Sequence, residues 1–287
     1  MGDVYCSTDG GRTWGEALRQ VTGDVNKQVP AGGHRIVWNV LAEREKLSGA
    51  NICFKVVANS GRFTVRGVSF EMVRVDGGTF RMGATSEQDE ANGDEKPVHS
   101  VTLSSYYIGK TEVTQALWQA VMGSNPSSFK GDNLPVECVS WDDCQEFIRK
   151  LNSMTGQNFR LPTEAEWEFA CRGGNNSRGY KYSGSNNLGS VAWYDGNSGN
   201  KTHPVGTKAP NELGIYDMSG NVWEWCADWY GDYSSGAQTN PAGPYGGSYR
   251  VYRGGSWYYE VGICRSSDRG GYGPTSRFGN LGLRLAL

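Results

Sequence analysis

The side chains able to do redox or hydrolytic chemistry are few and scattered. Seven cysteines, Cys6, Cys53, Cys138, Cys144, Cys171, Cys226 and Cys264, lack Cys-x-x-Cys spacing, and the three histidines His34, His99 and His203 lie far apart. A zinc or iron centre draws its ligands from short, repeated spacings, so this pattern disfavours one. An odd number of cysteines excludes complete internal pairing and leaves free buried thiols as the plain reading. Glu164, Glu166 and Glu168 fall at the start of a capped helix, where negative charge suits the helix dipole, so they do not make a hydrolase. No nucleophile-and-base arrangement can be built around so few histidines. Residues 258–280 carry three Tyr, three Ser and five Gly, residue types that antibody loops use because Tyr gives rigid contact at low entropy cost while Gly and Ser adapt. The alternative is a glycine-rich loop with no ligand.

The scaffold for such a surface is set by composition. With 287 residues the chain has room for two domains, and 37% hydrophobic and 20% charged residues describe a globular protein. A net charge of -2 and a pI near 6.0 give no electrostatic case for a nucleic-acid partner. No apolar run approaches the roughly 20 residues that span a bilayer. The start Met1-Gly2-Asp3-Val4 carries no charged region followed by an apolar one, so if the protein is exported its signal is expected to have been cut away. Gly at 41 of 287 residues, with 10 Trp and 15 Tyr, points to a loop-rich fold pinned by aromatics.

Short strands are expected first. Val4–Ser7 runs into Asp9-Gly10-Gly11; His34 to Val40 carries alternating Ile36, Trp38 and Val40; and Ile52 to Val57 carries Ile52, Phe54 and Val56. These read as half-buried strands of a small β-sandwich-like module at 1–66, either a trimmed immunoglobulin-like end or a spacer. After the break at Asn59-Ser60-Gly61 a second domain is expected at 67–287. It should open with a hairpin, Met72–Val75 and Thr79–Met82 around Asp76-Gly77-Gly78. Ala84 to Lys96 reads as an exposed acidic loop before a strand to Leu103. Helices are predicted at 114–122, 141–153 and 164–171 from the caps Thr114, Ser140 and Thr163 and the apolar stripes behind them. Beyond Arg172 no long helical pattern returns.

Within that frame six segments become recognisable in order: Gly77–Gly83, Thr111–Thr114, Pro135–Trp141, Arg160–Glu168, Gly214–Trp225 and Arg253–Trp257. Together they resemble the formylglycine-generating enzyme (sulfatase-modifying factor) family over roughly residues 70–287. The resemblance implies an α+β, C-type-lectin-like fold, and one fold hosts several functions. The enzymes oxidise a substrate cysteine with oxygen and copper held by two cysteines, since soft thiolates suit Cu(I). By the family pattern those cysteines follow the Gly-Gly-Ser by three and eight positions, which here are Tyr259 and Cys264. Counting back from Arg265 and Arg269 moves Cys264 to a different family position. With one ligand replaced and the loop shortened, copper and the oxidase reaction are not expected, and Cys264 and Ser256 read as structural.

The resemblance also implies a structural calcium site at Asp217, Gly220, Val222 and Glu224, with side-chain oxygens from the outer pair and carbonyls from the inner pair. The other reading is that Asp217 starts a turn and Glu224 joins a buried polar network between Trp223 and Trp225.

Residues 253–287 resemble the variable proteins of diversity-generating retroelements, receptor-like proteins of phages and bacteria mutated at adenines. Between the fixed points Cys264, Arg265, Arg269, Pro274, Arg277 and Leu281–Leu287 lie Tyr258, Tyr259, Ile263, Asp268, Gly270, Gly271, Tyr272, Gly273, Ser276, Phe278, Gly279 and Asn280. An asparagine AAY codon randomised at both adenines yields every residue in that series and none of Lys, Gln, Glu, Met or Trp. Glu260 does not fit such an origin. The expected function is therefore binding of a protein or surface glycan at a cell surface, in secreted form or on a phage. The contact residues would be Tyr258, Tyr259, Glu260, Ile263, Asp268, Tyr272, Ser276, Phe278 and Asn280. The alternatives are a formylglycine-generating-type oxidase and an invariant carbohydrate-binding lectin.

Overall fold

The computed structural model describes residues 2–13, 18, 21–23, 36–39, 51–58 and 61–287. The chain divides into two units, Met1–Arg62 and Phe63–Leu287. In the first, β1 (Gly2–Ser7) pairs antiparallel with β4 (Cys53–Ala58), and β2 (Val21–Gly23) with β3 (Ile36–Trp38). The Asp9 turn is closed by its carboxylate, which accepts from Ser7 Oγ, Thr13 Oγ1 and the Arg12 and Thr13 amides; these bonds hold it below the usual carboxylate range. The expected half-burial fails at two positions, because Ile52 and Phe54 are exposed and Phe54 meets only the edge of Trp38 at 5.8 Å. His34, Val40, Asn59 and Ser60 lie outside the described residues.

The second unit begins with β5 (Arg62–Val65) and β6 (Val68–Val75). Gly67, expected to open the domain, instead sits with Arg66 in the turn between these strands, both at positive φ. Phe63, which stacks on Phe70 at 5.5 Å and meets Phe159 at 5.0 Å, already belongs to the core.

The hairpin expected at Asp76-Gly77-Gly78 does not form. β6 pairs with β9 (Tyr106–Gly109), whereas β7 (Gly78–Met82) pairs with β8 (His99–Leu103), so the glycines turn a corner between two sheets. Close approach explains them: a Cβ on Gly77 would lie 2.5 Å from the Leu103 carbonyl, and one on Gly78 would lie 2.1 Å from Asn175 Oδ1.

Three helices follow where the caps place them: α1 (Gln115–Met122), α2 (Trp141–Thr155) and α3 (Glu164–Cys171). Thr114, Ser140 and Thr163 each accept from an amide three residues on, and Asp143 and Glu166 bond back to complete capping boxes. Gly123 and Gly156 end the first two helices in the left-handed conformation. Two single turns, α4 (Leu188–Val191) and α5 (Asp195–Ser198), are the remaining α-helices among the described residues.

The sheet that carries the C-terminal segment has the order β13-β12-β10-β14. Its centre is β10 (Trp223–Trp229), buried at most positions as a strand covered on both faces must be. Before the other three strands, β11 (Gln238–Thr239) pairs with β8. β12 (Arg250–Arg253) runs antiparallel to β10, β13 (Arg269–Tyr272) antiparallel to β12, and β14 (Leu281–Leu283) parallel to β10. Two large apolar cores fill the domain, beside a small cluster of Tyr182, Leu188, Val191, Ala192 and Cys264. One joins α1 and α2 to β10 and β14, and the other sets α3 against β7 and β8.

In the first core Phe147 is fully buried and stacks on Trp118 with centroids 4.8 Å apart. Phe147→Ala removes that ring and leaves a cavity, so urea denaturation should show a loss of about 3–5 kcal/mol.

Candidate functional site

Ser256 starts the C-terminal segment in a turn. Its hydroxyl is buried, accepts from the Tyr258 amide at 3.4 Å and from Asn280 Nδ2 at 3.2 Å, and so ties the two ends of the segment together. Main-chain bonds fix what lies between. The Trp257 amide donates to Asn221 O at 2.8 Å, the Trp223 amide to Asn280 O at 2.8 Å, and the Cys138 amide to Phe278 O at 3.0 Å. The Trp257 indole donates to Gly279 O at 3.0 Å.

On this support Trp223, Trp257, Tyr258, Tyr259, Tyr272 and Phe278 surround an open cavity of about 370 Å³, with Gly279 and Asn280 completing its wall. The rings meet mostly edge to face: Trp257 and Tyr258 at 5.4 Å, Tyr258 and Tyr259 at 5.7 Å, Trp223 and Tyr259 at 5.6 Å. Tyr272 stacks on Tyr252 at 4.8 Å and leans on Phe278 at 4.7 Å. Tyr258 is 59% exposed and Phe278 40%, so the cavity opens to solvent.

Of the contact residues expected from sequence, Tyr258, Tyr259, Tyr272, Phe278 and Asn280 come together on this wall. Glu260 is exposed and precedes the 3-10 turn Val261–Cys264, Ile263 packs partly into the first core, and Ser276 sits in a turn closed by its amide on Gly273 O; none of the three lines the cavity. Asp268 must be corrected. It is 4% exposed and lies beside Arg265 Nη2 at 3.4 Å, in a buried cluster where Arg265 makes a two-bond pair with Glu95. Glu95 belongs to the loop expected to be exposed; the arginine draws it in, and Ser267 also donates to it. Trp223 and Trp257, assigned to the frame by their motifs, supply part of the wall as well. A motif tryptophan gives no local sign that one edge reaches a cavity.

Cys264 is fully buried, and burial pushes its thiol up to about 12. A Cβ on Gly255 would lie 2.6 Å from its sulfur, so the thiol packs against the turn and is held protonated. Tyr259, at the other family copper position, belongs to the aromatic wall.

Asp217, Gly220, Val222 and Glu224 do not present a ligand set that fits calcium. Both oxygens of Glu224 accept from Arg284, at 2.7–3.1 Å, and one also accepts from the Trp167 indole at 2.6 Å. Asp217 accepts from the Gly206 amide and meets the carboxyl of Glu112, whose oxygens have no other partner. Burial pushes Asp217 up to about 6 and Glu112 well above its ordinary value. Among the described residues no three His, Cys, Asp or Glu side chains cluster as metal ligands. A second cavity, of about 400 Å³, opens over Glu112 and Tyr216 and includes none of the expected contact residues.

Two measurements follow from this electrostatics. With Arg284 occupying Glu224, the melting temperature should be the same in excess calcium and in excess chelator; a rise of several degrees with calcium would show a bound ion. Burial also pushes Asp228 and Asp268 up to about 7, whereas an unfolded Asp titrates at about 4. Between those values the folded chain keeps protons that the unfolded chain has released, so stability falls as pH rises across the window. Asp268→Asn removes one such group. Denaturation curves should show the variant gaining roughly 1–3 kcal/mol on the wild type between pH 4 and pH 8.

Comparison with known proteins fits this architecture. Residues 61–287 match the sulfatase-modifying factor enzyme 1-like domain. The chain is 35% identical to the chaperone protein LppX of Paenibacillus barcinonensis, over 83% of this chain and 95% of that protein. It is 32% identical to the formylglycine-generating enzyme of Streptomyces coelicolor, over 75% and 88%. Among solved structures, Treponema denticola variable protein 1 is 37% identical and superposes with a TM-score of 0.71 over 78% of this chain and 97% of that one. PvdO from Pseudomonas aeruginosa is 27% identical, with a TM-score of 0.66 over 80% and 99%. The fold is the α+β, C-type-lectin-like arrangement that the ordered motifs imply. By the domain match and by these identities, the chain belongs to the sulfatase-modifying factor enzyme 1-like family.

Proposed function

We propose that this protein is a receptor-type binding protein, displayed at a cell or phage surface, whose ligand seats on residues 258–280 and whose side chains there are diversified by a retroelement. One observation carries the reading. Side chains from both ends of one segment, Tyr258 and Tyr259 with Tyr272, Phe278 and Asn280, line one open cavity, while the local backbone is held by main-chain bonds and Ser256. Bonds through amides and carbonyls do not depend on which side chain a position carries, so Tyr258, Tyr259, Tyr272 and Phe278 can change without loss of these bonds, whereas Asn280 also supports the wall through its side chain. Exposing so many aromatics without a ligand would be an association liability, and a few aromatic anchors carry most of the energy of a typical interface. The likeness to a protein named as variable supports the same reading. The oxidase reading has against it the buried Cys264 and the aromatic role of Tyr259.

Two tests bear on it. In the DNA beside the gene, a reverse transcriptase and a near-copy of the 3′ coding repeat differing at adenines are expected; an invariant segment without them would favour a fixed lectin. In the protein, Tyr258, Tyr259, Tyr272 and Phe278 are replaced together by Asn. The melting temperature should fall by only a few degrees, because each exposed substitution alters stability by about 0.5 kcal/mol and the half-buried ones by somewhat more. Binding to a partner selected against the wild-type protein should disappear. An unfolded variant would show the segment to be scaffold.

A further inference from the structure

Resting on that reading of the surface, we propose that the aromatic cavity of this sequence takes a methylated ammonium headgroup. The wall consists of six rings, with Asn280 as the one other side chain and no Lys or Arg. Ring faces carry negative potential and attract a cation most when it is weakly hydrated, as a trimethylammonium group is. At about 370 Å³ the space exceeds one headgroup and leaves room for the linker that joins it to its carrier.

A buried carboxyl group stands behind the rings. Gly279 separates the cavity from Glu137, which is fully buried; a Cβ at Gly279 would lie 3.7 Å from Glu137 Oε2. The other oxygen of Glu137 accepts from the Phe129 amide at 2.8 Å, but Oε2 has no hydrogen-bond partner. Burial pushes Glu137 up from its ordinary value, so a cation held across this residue without a side chain would favour its charged form. On the opposite side, the hydroxyls of Tyr252 and Tyr259 meet that of Tyr272.

Other ligand classes fit less well. An anion would find no cationic side chain on the wall. A sugar needs convergent side-chain partners for its hydroxyls, and the amide of Asn280 already donates to Ser256. A neutral apolar group would use the rings and leave Glu137 Oε2 without a partner.

The experiment titrates the full chain with choline and with its neutral isostere 3,3-dimethylbutan-1-ol, following the indole signals of Trp223 and Trp257 by NMR. Methyl glucoside serves as the sugar control. Choline should saturate with a dissociation constant about tenfold lower than that of the isostere. Glu137→Gln, which keeps the acceptor for Phe129, should weaken choline several-fold and leave the isostere unchanged. A trimethyllysine peptide and phosphocholine are then compared to identify the carrier, a protein or a surface glycan or lipid. Equal binding of choline and isostere overturns the charge inference while leaving the binding surface in place. Preference for the glucoside, or no saturable choline response, overturns it too. If the fourfold Asn variant also keeps its selected partner, the reading of the surface falls separately.

Discussion

The domain turns on one guanidinium. Arg253, at the end of β12, is fully buried, donates to Glu164 at 2.9 Å and to Glu168 at 2.6 Å, and also reaches the Ser266 carbonyl at 2.8 Å. Glu164 in turn holds Arg269 by two bonds of 2.7 Å, and Glu168 holds Arg172 at 2.8 Å. One helix face thus fixes two strands of the C-terminal sheet and the loop between them. Desolvating so many charges offsets much of their attraction, but deleting one partner strands the others at a cost of about 3–5 kcal/mol. The network's value lies in direction. Apolar packing would tolerate a small slide of β12 on α3, whereas forked guanidinium bonds do not.

That rigidity explains how a surface segment can carry large aromatics and keep one shape. Arg253 and Arg269 bracket residues 254–268, and Arg265 is fastened separately to Glu95. The cavity wall hangs from these points and from Ser256 and Asn280. Its rings bear on one another more than on the frame, with Tyr258 touching Trp257 and Tyr259. Tyr259 and Tyr272 also pack against the first core, whereas Tyr258 and Phe278 face solvent.

Local order was legible in the sequence. Thr114, Ser140 and Thr163 marked three helices because a cap and its partner amide lie within one turn of each other. Signals that depend on distant residues were not. Asp76-Gly77-Gly78 has the composition of a hairpin turn, and only Leu103 and Asn175 reveal that its glycines serve close approach at a corner. Glu164 and Glu168 looked like dipole-favoured charges at a helix start; their partners are 89 and 85 residues away. Asp268 had the polarity of a contact residue and was drawn inward by Arg265. At the cavity, the segment and most of its aromatics could be read in advance. The contributions of Trp223 and Glu137 could not, because each reaches it from another element.

The parallel pairing of β14 with β10 carries a consequence for synthesis. β14 and the residues after it come later in the chain than the cavity segment, yet they cover the core. Leu281 and Leu283 pair beside Trp223 and Trp225, Ala286 bridges both Ile108 and Arg160, and Leu287 exchanges main-chain bonds with Tyr107. The domain cannot close until these residues have left the ribosome. A frameshift or stop codon within 258–280 deletes the strand and Arg284, leaves Glu224 buried without its counter-charge, and sends the product to proteolysis. Amino-acid exchanges in the same stretch leave that strand intact. Folding therefore depends on residues that follow the aromatic segment, and a product lacking them cannot close its core.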